Sequence, residues 1–262
     1  MYALDLNGLS KNFKGKKRQT VEALKGLTLS VSQGEVCGFL GPNGAGKSTT
    51  IKCIMGLIRP TAGTAMVMGK PAGSMESRRC VGYLPENPAF YDYLSAREYL
   101  LFVGKSYQMP AELLEQRAEE ALKLLELWEA RNRPMRGYSK GMVQRVGLAQ
   151  VLIHDPDLYI LDEPMSGLDP LGRALVKEII LDLKKCGKCV FFSTHITDDV
   201  EKVCDRVGVL LHGELKLVER VDTIMSQGVV GYQVRVKDSN GSMCDNQVNK
   251  DMLESFLAEQ AG

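Results

Sequence analysis

Residues 41–48 read GPNGAGKS, a complete match to the spacing GxxxxGK[ST]. Glycines there let successive backbone N–H groups converge on a polyphosphate, which also faces the positive end of the following helix. The cradle comprises Gly41, Pro42, Asn43, Gly44, Ala45, Gly46, Lys47 and Ser48, with Thr49 next in the helix. Lys47 can reach the β- and γ-phosphates, and the Ser48 hydroxyl suits Mg²⁺. A second chemical pair, Asp162-Glu163, closes the apolar run 158–161. Two adjacent acids imply a division of labour. Asp162 is expected to serve the metal and Glu163 to polarise an attacking water as general base. His195 ends the run 190–195, which puts a donor at the carboxyl edge of a sheet, where it can meet a γ-phosphate. Lys47, Glu163 and His195 are the expected catalytic set, and the chemistry open to it is hydrolysis of a magnesium-bound nucleoside triphosphate. His154 and His212 lack such a setting and read as structural.

These groups need a rigid sheet. The runs 36–40, 158–161, 189–193 and 207–211 are compact and apolar, the pattern of strands buried on both faces. Helical spacing lies between them, so the expected class is α/β. The middle differs. Ser95 and Glu98 form a capping box ahead of a helix through Leu101 and Phe102. Pro110 suits the first turn of the next helix, whose Leu113, Leu114, Ala118, Ala121, Leu122 and Leu125 recur at helical spacing. A helical insert over about 89–157 is therefore expected. Beyond about residue 221, Val230, Tyr232, Val234 and Val236 alternate as in a strand, Asn240-Gly241 marks a turn, and Asn249 can cap a closing helix carrying Met252, Leu253, Phe256 and Leu257. This tail carries no evident chemistry.

Bulk properties exclude several classes. With 33 Lys+Arg against 32 Asp+Glu the net charge is +1, which leaves no electrostatic footprint for nucleic acid. The basic segment 14–18 (KGKKR) is either a solvated turn or a loop facing nucleotide or membrane. Seven scattered cysteines include one lone CxxC at Cys186 and Cys189, with no second pair to complete a zinc site. Cys37, Cys53, Cys189 and Cys204 have apolar neighbours and read as small hydrophobes in a reducing compartment. The N-terminus does not follow the pattern of a secretion signal, and no apolar run is long enough to span a bilayer.

Taken together, the segments resemble the nucleotide-binding domain of ABC transporters over about residues 3–220. They occur in the family's order: GPNGAGKS at 41–48, YLPEN at 83–87, YSKGM at 138–142, LYILDEP at 158–164, SGLD at 166–169 and STH at 193–195. The resemblance implies a P-loop NTPase (RecA-like) α/β core with an antiparallel β subdomain, the all-helical insert, and a small α/β C-terminal tail. It implies an ATPase domain over 1–220, with the helical subdomain at about 89–157, and an appendage over 221–262. It also implies head-to-tail dimers, with the signature residues Ser139, Lys140, Gly141 and Met142 of one copy facing the γ-phosphate held by the other. Asp169 would lie at the dimer seam. Phe13 falls where the family stacks an aromatic on adenine, with Val21 beside it. Glu86 stands where many members have Gln, and joins Ser48 and Asp162 as an expected Mg²⁺ ligand.

YSKGM replaces the commoner LSGGQ, keeping the Ser and the second Gly; Lys140 either adds charge near the phosphates or faces solvent. These departures resemble the branch whose ATPase is a separate chain paired with polytopic membrane subunits, mostly exporters. The chain is then expected to be cytoplasmic, peripheral on the cytoplasmic face of the cell membrane, and to act as a homodimer or heterodimer of ATPase subunits without nucleic acid. The aromatics Phe90, Tyr91 and Tyr93 either form a partner interface or belong to the helical subdomain's own core. A soluble ABC-type ATPase acting on ribosomes or DNA is the alternative. Such relatives carry two ATPase domains or a long coiled coil, and this chain has one P-loop and little room between motifs.

Overall fold

The computed structural model describes residues 2–14, 20–228, 231–237 and 243–249. By contacts the chain divides into two units, Met1–Val218 and Glu219–Gly262. The first contains a six-stranded sheet in the order β10-β9-β3-β8-β7-β6. Its strands are β3 (Val36–Leu40), β6 (Val81–Leu84), β7 (Leu158–Asp162), β8 (Cys189–Thr194), β9 (Arg206–Leu211) and β10 (Glu214–Arg220). β3 runs parallel to both β8 and β9, and β7 runs parallel to β6 and β8. Every residue of β7 and β8 is buried, as helices on both faces of a parallel sheet require. Phe39 of β3 meets Phe191 of β8 with ring centroids 5.3 Å apart, at the centre of the core. The order places three loop-bearing strand ends side by side at one carboxyl edge: that of β3, then β8, then β7.

A second, antiparallel sheet has the order β2-β1-β4-β5, from β1 (Tyr2–Lys14), β2 (Thr20–Ser32), β4 (Ala62–Val67) and β5 (Lys70–Pro71). Leu4, Leu6, Leu9, Leu24, Leu27, Leu29 and Val31 are its buried face. They share one core cluster with Phe39, Ile51 and Ile54 of the parallel layer. The helices flanking the large sheet are α1 (Lys47–Ile54), α2 (Met75–Arg79), α6 (Pro170–Lys185) and α7 (Thr197–Val203).

Between β6 and β7 the chain is helical: α3 (Ala96–Ser106), α4 (Ala111–Leu124) and α5 (Lys140–Leu152), with short 3₁₀ turns between α4 and α5. The expected capping box opens α3. Ser95 Oγ accepts from the Glu98 N–H, and Glu98 returns to the Ser95 N–H at 2.9 Å. Ser95→Ala should cost about 1 kcal/mol by urea denaturation; an unchanged midpoint would show that tertiary packing alone sets the helix start. Gly104 lets α4 approach, since a Cβ there would lie 2.1 Å from Leu114 Cδ1. Two details differ from the sequence reading. Pro110 is the cap residue preceding α4 rather than part of its first turn, and Leu113 is 41% exposed, outside the apolar stripe that Leu114, Ala118, Ala121 and Leu122 bury.

Cys37, Cys53, Cys189 and Cys204 are buried, whereas Cys186 is exposed, so the two ends of the CxxC lie in different environments. Burial pushes the Cys37 and Cys204 thiols up, and that of Cys189 up to about 12, which leaves them unreactive. The second unit includes α8 (Val221–Gly228) and an antiparallel hairpin of β11 (Gly231–Lys237) and β12 (Met243–Asn249). The turn expected at 240–241, the helix expected beyond Asn249, and residues 15–18 of the basic segment lie outside the described residues. No helix among the described residues is long and apolar enough to cross a membrane.

Candidate functional site

The phosphate loop leaves β3 and turns back onto its own helix. Gly44 and Gly46 adopt φ of 80° and 112°, conformations that side chains resist. A Cβ on Gly46 would also lie 2.7 Å from the Ala23 carbonyl, so β2 closes one side of the loop. The β9–β10 turn closes another. His212 and Gly213, at φ of 50° and 80°, make the two-residue hairpin, and the Gly213 N–H donates to Ala45 O at 2.9 Å. His212 is therefore exposed at a turn tip that braces the loop. Lys47 is 6% exposed and its ammonium donates to Gly41 O (2.7 Å) and Pro42 O (3.3 Å), also lying 3.3 Å from Glu163 Oε1. A cavity of about 280 Å³ opens here, lined by Asn43, Gly44, Gly46, Lys47, Ser48 and Thr49 together with Ala23, Glu86 and Glu163. The polyphosphate cradle and two of the expected acids thus meet in one place.

Asp162 and Glu163 follow from the strand order. Asp162, the last residue of β7, pairs in register with Ser193 of β8. Ser193 Oγ donates to Asp162 Oδ1 (2.6 Å) and accepts from the Glu163 N–H (3.0 Å), binding both acids to the neighbouring strand. Glu163 sits at φ 51°, which breaks the strand alternation and turns its carboxylate toward Lys47. Its Oε2 lies 3.0 Å from His195 Nδ1. A carboxylate only accepts, so Nδ1 carries the proton in this pair. Its Oε1 is buried without a hydrogen bond of its own. Lys47, Glu163 and His195 form one connected chain, with Glu163 between the other two.

Other expected residues lie elsewhere in the same unit. Ser139 caps α5, accepting from the Met142 N–H at 3.2 Å; Gly141 is half-buried and Lys140 exposed. The Lys140 stem lies over Gly167, where a Cβ would meet Lys140 Cε at 2.9 Å. Asp169 caps α6, accepting from the Gly172 N–H at 3.1 Å ahead of Pro170. Phe13 and Val21 are direct cross-strand partners, 40% and 55% exposed, so Phe13 is not a core aromatic. None of these lines the phosphate cavity. His154 is structural, its ring stacked on Tyr107 at 3.8 Å between centroids, and burial holds its pKa below the ordinary value.

Two groups at the site escaped the sequence reading, the buried Gln144 of α5 and Asp199, 1% exposed beside the His195 loop, and Ser193 enters it only as part of the STH segment, without a role. Gln144 is a polar residue in a largely apolar stretch, a signal that does not name its partner, whereas Asp199 directly follows Asp198 and carries no such contrast.

The residues present fit Mg²⁺. Ser48, Asp162 and Glu86 offer oxygen only, and Ser48 and Glu86 line the phosphate cavity together. No group of three or more His, Cys, Asp or Glu among the described residues is placed for a metal. Mg²⁺ needs none, since it takes one or two carboxylates plus substrate phosphates and water.

Fold and site together define a P-loop nucleotide hydrolase. The ABC transporter family model matches residues 24–166. The chain is 46% identical over 246 residues to the uncharacterized ABC transporter ATP-binding protein all4389 of Nostoc sp., covering 93% of this chain and 72% of that one. It is 48% identical to sll0415 of Synechocystis sp., named in the same way, over 84% of this chain and 62% of that one. It is 35% identical to the Nod factor export ATP-binding protein I of Rhizobium sp., over 88% and 75%. Among solved structures, an ATP binding subunit of an ABC transporter superposes with TM-score 0.77 at 33% identity, over 86% of this chain and 92% of that one. The dimeric ATP-binding cassette MJ0796 bound to ADP and Pi does so with TM-score 0.77 at 26% identity, over 83% and 98%. The chain belongs to the ABC transporter family, as an ATP-binding subunit and an ATP hydrolase.

Proposed function

We propose that this chain powers a membrane exporter from the cytoplasmic face, as one of two ATPase subunits, identical or related, docked on polytopic membrane subunits. One observation carries the reading. A single short segment joins the phosphate cavity to an exposed aromatic surface. Glu86 lines the cavity, and a few residues on Tyr91 and Tyr93 are 53% and 66% exposed. Tyr91 touches Tyr93 and also Phe102 of α3, itself 53% exposed, while Phe90 turns inward onto Tyr99. An aromatic cluster of this kind suits a protein interface. Nucleotide-dependent movement at Glu86 would be felt there directly. The export direction is supported by the names of relatives such as the Nod factor export protein.

In this reading residues 1–220 do the ATPase work, with 89–157 as the helical subdomain and 221–262 as an appendage. Gly41–Thr49 backbone groups hold the phosphates, with Lys47 on the β- and γ-phosphates. Phe13 and Val21 offer an exposed apolar pair to adenine. Glu163 takes the proton of the attacking water, and His195 holds Glu163 while contacting the γ-phosphate. Ser48, Asp162 and Glu86 would hold Mg²⁺, which supplies charge neutralisation at the phosphates when bound. Ser139 and Gly141 lie outside the chain's own cavity, in keeping with service to a second copy's nucleotide, with Lys140 and Met142 beside them and Asp169 at the seam. Closure is then biased by contacts that exist only with the γ-phosphate present.

Purification of the tagged chain from its native membranes in mild detergent, followed by mass spectrometry, is expected to recover a stoichiometric polytopic protein. Recovery with ribosomes, or alone in the soluble fraction, would overturn the transport reading and leave the ATPase chemistry standing.

A further inference from the structure

We propose that Gln144 is a positioning residue for Glu163, so that α5, whose first turn carries the signature, also sets the hydrolytic geometry of its own chain. The proposal rests on the reading of Glu163 as general base.

Gln144 is 3% exposed on a helix whose other inward residues, Val146, Leu148, Ala149 and Val151, are apolar. A buried amide is unfavourable there unless its hydrogen bonds are made. Its Nε2 donates to Pro164 O at 3.0 Å and, at 3.4 Å, to Glu163 O. The Glu163 carbonyl has a second donor in the Ser166 N–H at 3.0 Å, so the Pro164 bond is the one that depends on Gln144. These carbonyls flank a residue in a sparsely populated conformation. Glu163 is at φ 51° and precedes a proline, which narrows its backbone freedom further. Such a turn persists only where its surroundings over-determine it.

The same helix holds the rest of the segment. Lys140, one turn earlier on the same face, lies over Gly167, and Arg145 Nη2 approaches Asp169 Oδ1 at 3.9 Å. Residues 163–169 are thereby held along one helix that begins at Ser139. A displacement of α5 when Ser139 meets an anion would move the Glu163 turn through Gln144, and with it the carboxylate now 3.3 Å from Lys47 and 3.0 Å from His195.

The test uses the purified full chain. Gln144→Met keeps length and bulk and removes the donor. It should lower kcat by about tenfold to a hundredfold, the scale set by a misplacement of about 1 Å, with ATP binding unchanged. In single-turnover assays the loss should vanish in a Glu163→Gln background, because Gln144 acts through that carboxylate. Should Gln144→Met fail to fold, Gln144→Asn, which keeps the amide but shortens its reach, should show the same kcat loss. Normal kcat in a folded Gln144 variant, or losses that multiply with Glu163→Gln, would overturn the positioning role while leaving the general base intact. Normal hydrolysis by Glu163→Gln alone would overturn the general base and this proposal with it.

Discussion

Glu163→Gln should cut ATP turnover by about 10²- to 10⁴-fold, the usual worth of a general base. That corresponds to roughly 3–5 kcal/mol of barrier. The structure explains why binding should survive. The carboxylate is not part of the phosphate cradle; it faces that cradle across Lys47, its Oε1 3.3 Å from the ammonium. Gln preserves the volume and can still accept from His195 Nδ1 through its amide oxygen, so the loop need not rearrange. Removing the negative charge frees Lys47 of its ion pair and relieves repulsion against a γ-phosphate. ATP affinity should therefore hold or rise, and ATP-bound dimers should accumulate on light scattering. A variant that stays monomeric with ATP and releases phosphate at the parent rate would show that another group activates the water.

That prediction was open to the sequence because the residues concerned sit at the ends of strands too apolar to be anything else. Runs such as 158–161 place their final acids at a sheet edge, and GPNGAGKS names its own loop. What could not be read is the partnering between distant segments. Gln144 lies 20 residues before Pro164, and its role depends on how α5 crosses the 163–169 loop. Ser193 is legible as part of the STH segment, but its partner is not until register places it opposite Asp162. Leu113 fails for a related reason. Helical periodicity marks a stripe, but only the position of α3 decides which edge of that stripe is covered. The exposed Phe13 and Val21 likewise owe their position to pairing across β1 and β2. Local pattern reaches the elements and the motif residues; side-chain partners come from the sheet order.

Asp199→Ala should destabilise the first unit and slow hydrolysis together. Asp199 is 1% exposed, and both of its oxygens accept from Arg173 Nη2, at 2.9 and 3.0 Å. Lys177 Nζ lies 3.1 Å away, and Thr194 Oγ1 donates at 3.3 Å. Breaking a fully buried ion pair costs about 3–5 kcal/mol, because an unpaired charge is left behind. Here the stranded cations have an outlet. The Arg173 side chain is 29% exposed, and Lys177 keeps Asp198 at 2.6 Å. The expected loss is therefore at the lower end, about 2–3 kcal/mol, with a fall in melting temperature of roughly 5–10 °C. Hydrolysis should fall too. Thr194 Oγ1 also accepts from the Ile196 N–H at 3.1 Å, so Asp199 anchors the turn that carries His195. Arg173→Ala added to Asp199→Ala should recover part of the stability, since it removes the charge left unpaired. It should not recover activity, because the anchor on Thr194 is still missing. Thermal melting of the three variants beside phosphate release separates the two effects. A melting temperature unmoved by Asp199→Ala would mean that water already screens this cluster, and the buried-pair account would then fail.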